Sequence, residues 1–92
     1  MDYFIDQRNG HPKDDLVFYF LNWDNEGLEY DKLSEKEYDE LPECVVCNED
    51  EEPDYDWISN HYKCLCVGGY KEEDEWIIGQ YRMEFLKQLQ NN

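Results

Sequence analysis

Fifteen acids against two bases between Asp24 and Asp56 limit what this chain can fold into more than any other feature. Those 33 residues carry −13 of a net charge of −16. Ionised carboxylates are almost never buried without a partner, so this third of the chain has to lie at the surface. Its apolar residues then have to act as small anchors in a core built largely by the flanks. The stretch Glu43–Asp56, reading ECVVCNEDEEPDYD, shows the arrangement in miniature. It joins the pair Cys44 and Cys47 to a nearly unbroken acidic run of Glu49, Asp50, Glu51, Glu52, Asp54 and Asp56.

A chain of 92 residues forms one domain, 1–92, and buries roughly 60–65% of its unfolded surface. Leu, Ile, Val and Phe make up only 20 residues, close to the level at which disorder becomes the default. Eight Tyr, four Phe and three Trp compensate, because aromatic rings bury large areas while keeping a polar tip wet. A Tyr-rich folded domain is expected. The start, MDYFIDQRN, lacks the layout of a secretion signal, and the longest apolar run is Leu16–Leu21. A cytoplasmic location and reduced cysteines are therefore expected.

Local signals predict an α+β fold, a small antiparallel sheet with one short helix and one C-terminal helix. Asp2–Asp6 alternates like a short strand, and Asn9-Gly10-His11-Pro12 is turn chemistry. Leu16–Trp23 is the strongest strand signal, followed by a turn at Asp24–Gly27 and a returning strand at Leu28–Asp31. Ser34 with Glu37 three residues on forms a capping box for a helix Glu35–Leu41, which Pro42 ends. Cys44–Cys47 reads as a strand or knuckle. Trp57–Val67 alternates as a second long strand, with Ile58, Tyr62, Cys64 and Cys66 on one face, ended by Gly68-Gly69. Asp74 to about Gln90 has helical spacing at Ile77, Ile78, Tyr81, Phe85 and Leu89. Gly79 argues against that helix, and Ile77, Gly79, Tyr81, Met83 and Phe85 also alternate as a strand would.

The charge pattern carries the functional expectation. Glu35, Glu37, Asp39 and Glu40 fall within six helical residues, about 9 Å of axis, or one charge per roughly 2.2 Å. Duplex DNA carries one per about 1.7 Å. The Glu49–Asp56 loop, if extended, approaches the density of a single strand. Acids interleaved with Tyr30, Tyr38, Tyr55 and Trp57 make a better protein-contact surface than acids alone, since Tyr and Trp supply binding hot spots. These features point to a nucleic-acid mimic: a stoichiometric inhibitor of viral or mobile-element origin, occupying the basic groove of a nucleic-acid-binding enzyme in an anti-CRISPR, anti-restriction or similar anti-defence role. The expected contact residues are Glu35, Glu37, Asp39, Glu40, Glu49, Asp50, Glu51, Glu52, Asp54, Tyr55 and Asp56. The partner would be a basic protein, while direct binding of nucleic acid or of a membrane is disfavoured by the charge. A related reading is an immunity or antitoxin protein against a basic nuclease. The plain alternative is that acidic runs are solvated surface.

The cysteines open a different class of reading. Cys44-x-x-Cys47 and Cys64-x-Cys66 form two close pairs that could ligate one structural zinc and make the chain a zinc-stabilised interaction module. Against this, CVVC lacks the Gly or Pro that shapes a knuckle, and buried free cysteine is common. A redox role for the CxxC, or a cross-strand disulfide Cys47–Cys64 or Cys44–Cys66 in an oxidising compartment, completes the alternatives. An EF-hand beginning at Asn22 fails because its twelfth position is Leu33, without the bidentate carboxylate. Catalysis finds little support. His11 and His61 are the available imidazoles, Ser34 is better used as a cap, and Ser59 and Cys64 lack an oriented base. The two arginines, Arg8 and Arg82, leave little to clamp an anionic substrate. No enzymatic activity is expected.

Overall fold

The computed structural model describes residues 4–10 and 16–90. Asp2, Tyr3, His11 and Pro12 lie outside that set, so the first expected strand is seen only from Phe4 and the first turn only as far as Gly10.

The β-branched centre of ECVVCN settles into strand β3 (Cys44–Asn48) rather than a knuckle. Four consecutive residues, Cys44, Val45, Val46 and Cys47, are 0–1% exposed. Both faces of β3 are therefore covered. Strand β2 (Leu16–Asp24) pairs with it antiparallel, Phe18 opposite Val46 and Phe20 opposite Cys44. On the far edge of β3 lies β1 (Phe4–Asp6), and on the free edge of β2 lies β4 (Leu65–Lys71), giving the order β1-β3-β2-β4. β1 runs parallel to β3, so the sheet is mixed rather than purely antiparallel.

Helices cover the two faces. Helix α3 (Glu75–Gln90) lays Phe85, Ile78, Tyr81 and Leu89 over Phe4, Phe18, Cys44 and Val46. Helix α2 (Tyr55–Tyr62) lays Ile58, Tyr55 and Tyr62 over Ile5, Val45, Cys47 and Cys66. The short α1 (Glu35–Asp39) buries none of its residues. The α+β class is as expected, with α2 as an additional helix. No helix among the described residues is long and apolar enough to cross a membrane.

Two predicted strands are absent. Leu28–Asp31 is irregular, with Leu28 fully exposed, because β3 and β4 already occupy both edges of β2. The turn itself forms, Gly27 N–H donating to Asp24 O at 3.4 Å, but Asn25 then closes the loop through its amide to Leu33 N–H and C=O (2.8 and 3.0 Å). The predicted strand Trp57–Val67 is instead helix α2 followed by β4. Asp54 caps that helix, its Oδ1 accepting from Trp57 N–H at 3.1 Å, and Lys63 ends it in the left-handed region at φ 56°. Gly68-Gly69 lies inside β4. Gly69 is required there, since a Cβ would stand 2.5 Å from the Phe20 carbonyl oxygen.

Candidate acidic interaction surface

Helix α1 presents its acids on a frame of hydrogen bonds. Ser34 Oγ accepts from Glu37 N–H at 3.2 Å, and Glu37 Oε1 accepts from Ser34 N–H at 3.1 Å, the expected capping box. Those bonds with Ser34 hold the Glu37 carboxyl below the usual carboxylate range. The helix hangs from the end of β2: Tyr38 donates its hydroxyl to Trp23 O at 3.1 Å, and Trp23 Nε1–H donates to Pro42 O at 2.8 Å. Glu35, Glu37, Asp39 and Glu40 are all exposed.

The second acidic segment leaves the opposite end of β3. It is not an extended tether. Glu51 N–H donates to Asn48 O at 3.1 Å, and Gln7 clasps Asp54, its Oε1 accepting from Asp54 N–H at 2.8 Å. Asn48 Nδ2–H donates to Asn9 O at 2.9 Å, and Glu51 Oε1 accepts from Asn9 N–H at 3.2 Å. The segment following β1 thus fixes the acidic loop. Three predicted contact residues, Glu37, Glu51 and Asp54, use their carboxylates in the fold. Those of Glu35, Asp39, Glu40, Glu49, Asp50, Glu52 and Asp56 point to no bonded partner among the described residues, and no ion pair there involves an acid between Glu35 and Asp56.

β3 separates the two acidic segments. Four strand steps from Cys44 to Asn48 span about 13 Å. The acids therefore form two clusters at opposite ends of the sheet rather than one continuous face. Of the four aromatics interleaved with them, Tyr55 is half-buried against β4, Tyr38 is tied to β2, and Tyr30 donates its hydroxyl to Asn60 Oδ1 at 2.7 Å. Trp57 is the exposed one at 47%, stacked on His61 with ring centroids 4.6 Å apart and planes 10° from parallel.

The cysteines do not converge. Side chains alternate along a strand, so residues three apart face opposite sides. Cys44 sits under α3 and Cys47 under α2. Cys66 lies on β4, two strand spacings or roughly 10 Å from β3, beyond the Cα reach of a disulfide, which is about 7 Å. Cys64 S–H donates to Asp24 O at 3.7 Å and Cys66 S–H to Gly68 O at 3.4 Å. No group of three or more His, Cys, Asp or Glu side chains placed to hold a metal occurs among the described residues. Burial pushes the Cys44 thiol up to about 12 and the Cys47 thiol to about 11, with carboxylates adding to both shifts. Both thiols are thus protonated at neutral pH, the reverse of a reactive CxxC. Ser59 is buried, its Oγ accepting from Cys66 N–H at 2.9 Å, so its hydroxyl serves the α2–β4 junction.

One concave feature went unread in the sequence. Phe20 and Tyr70, on neighbouring strands, border a groove of about 370 Å³ whose rim includes Asp39 and Glu43. The period-two spacing of β2 marks Phe20 as face-directed, but nothing local pairs it with Tyr70, fifty residues later. No family model matches this chain, and neither curated proteins nor solved structures include one similar to it.

Proposed function

We propose that this protein is a stoichiometric inhibitor that imitates nucleic acid and occupies the basic groove of a nucleic-acid-binding enzyme in the cytoplasm. The observation carrying this reading is that the acids of α1 and of the β3–α2 loop stand on hydrogen-bonded frames, and that none of them forms an ion pair among the described residues. A solvated surface of ordinary composition would intersperse more Lys and Arg than the single Lys36 that falls between Glu35 and Asp56. The two acidic segments leave β3 from ends about 13 Å apart, on the scale of the roughly 12 Å major groove that separates rows of phosphates in B-DNA. A backbone held in place loses little freedom on binding, and Trp57, stacked and half-exposed beside Asp56, supplies the aromatic anchor that charge alone lacks. Association would be fast and would weaken steeply with salt.

The test is competition. A partner retained by the immobilised protein should be a basic nucleic-acid-binding protein, should elute with duplex DNA or RNA, and should bind the variant E49Q/D50N/E52Q at least tenfold more weakly at physiological salt. That variant spares Glu51 and Asp54, which the fold uses. A retained partner that ignores nucleic-acid competitors, or that binds the variant at full strength, would overturn the reading.

A further inference from the structure

The face of the sheet under α3 is only partly covered. Phe4 and Phe18 are buried there, whereas Phe20 is half-buried and Asn22 and Tyr70 are exposed. The uncovered end is concave because the α1–β3 connection, Leu41-Pro42-Glu43, rises beside it as a wall. Phe20 packs on Tyr70 with centroids 5.3 Å apart and on the edge of Tyr81 at 5.0 Å, which fixes the floor. Tyr70 lines the groove with 57% of its surface still accessible. Asp39 and Glu43 stand on the rim, and no Lys or Arg among the described residues lines the groove. Burial raises the Tyr81 hydroxyl, and Glu43 and Glu72 raise it further, so the negative field reaches this floor.

We infer that this groove receives an arginine side chain of the basic partner, its guanidinium plane laid on Tyr70 and its charge held between Asp39 and Glu43. Charge complementarity selects a cation, and aromatic walls select one that is planar and weakly hydrated. Guanidinium meets both demands, while an ammonium keeps its water more tightly. The groove lies at the α1 end of the molecule, away from the Glu49–Asp56 loop. The inference rests on the reading that the partner is basic, and it adds where one specific residue of that partner is gripped.

The experiment needs no partner. The intact protein at low salt is titrated, by NMR, with a glycine-flanked peptide bearing a single arginine, and with its lysine and citrulline counterparts. The expected result is saturable shifts at Phe20, Asn22, Tyr38 and Tyr70 with arginine, several-fold weaker binding of lysine, and none of citrulline. Tyr70→Ala and Glu43→Gln should each weaken arginine binding about fivefold, while E49Q/D50N/E52Q changes it less than twofold. Glu43 is exposed and its side chain makes no bond among the described residues, so E43Q keeps the test valid if Y70A unfolds. Shifts spread over all acidic segments, equal binding of lysine or citrulline, or indifference to both groove variants would overturn the inference. Failure here leaves competition by nucleic acid untouched, and failure there removes the basic partner but not a measured preference of the groove for arginine.

Discussion

Raising the pH from 8 to 10 should destabilise this protein through two thiols at its centre. Cys44 and Cys47 are 1% and 0% exposed, and their folded values are pushed from an ordinary 9 to about 12 and about 11. A group raised on folding contributes stability that is complete below its unfolded value and is lost as pH climbs toward the folded one. At pH 10 an unfolded thiol is roughly nine-tenths ionised, which stabilises the unfolded chain by about 1.4 kcal/mol, whereas each folded thiol gains under ~0.1 kcal/mol. The pair should therefore remove roughly 2.5–3 kcal/mol between pH 8 and pH 10, a large part of the 5–15 kcal/mol usual for a domain. Cys64 and Cys66, also raised by burial, act with the same sign. Urea unfolding followed by Trp fluorescence, in reductant, measures the drop. Cys44→Ala and Cys47→Ala shift the baseline, but each should shrink the pH 8-to-10 difference by about 1.4 kcal/mol. If both variants lose as much stability as the parent over that interval, these thiols are not buried in protonated form and the central placement of β3 is wrong. Thiolates bound to zinc would give the opposite sign, with stability lost on acidification and on chelation.

The remaining predictions concern other parts of the fold. Gly79→Ala should stabilise the protein by about 1 kcal/mol, because nothing lies within 4 Å of the added Cβ and the helix gains propensity. Gly69→Ala should lower the thermal midpoint sharply, since its Cβ meets the Phe20 carbonyl at 2.5 Å. Asp6→Ala should cost on the order of 3 kcal/mol by chemical denaturation. It removes the two 2.8 Å bonds to an Arg8 side chain that is 2% exposed and lies 4.8 Å over the Phe85 ring. Ser34→Ala should fray α1, with faster amide exchange at Glu37 and a loss of about 1 kcal/mol.

Features whose cause is local were legible in the sequence. The Ser34–Glu37 box needs only four residues, and the long α3 declares itself by repeated spacing despite Gly79. The Leu16–Trp23 strand stands out because aromatic and β-branched residues leave few alternatives. Helix α2 reads as a strand in sequence because Ile58 and Tyr62 satisfy both periods: they are four apart, and they also alternate with Cys64 and Cys66. Asp54 as a cap was the local signal that would have decided the matter, and it was hidden among its acidic neighbours. The returning strand at Leu28–Asp31 failed for a non-local reason, since a turn predicts a hairpin only if the edge of the first strand is vacant.

The candidate site divides in the same way. Composition alone forces the acids between Asp24 and Asp56 to the surface, because a carboxylate without a partner costs too much to bury. The choice of β3 as a strand likewise separates Cys44 from Cys47, since side chains three apart on a strand must diverge. What no local pattern contains is the placement of those acids at two ends of one strand, the diversion of Glu37, Glu51 and Asp54 into hydrogen bonds, and the meeting of Phe20 with Tyr70 beneath Glu43. These depend on strand order, a property of contacts between residues distant in the chain. The charge of this surface was thus determined by the sequence, and its shape by the tertiary structure.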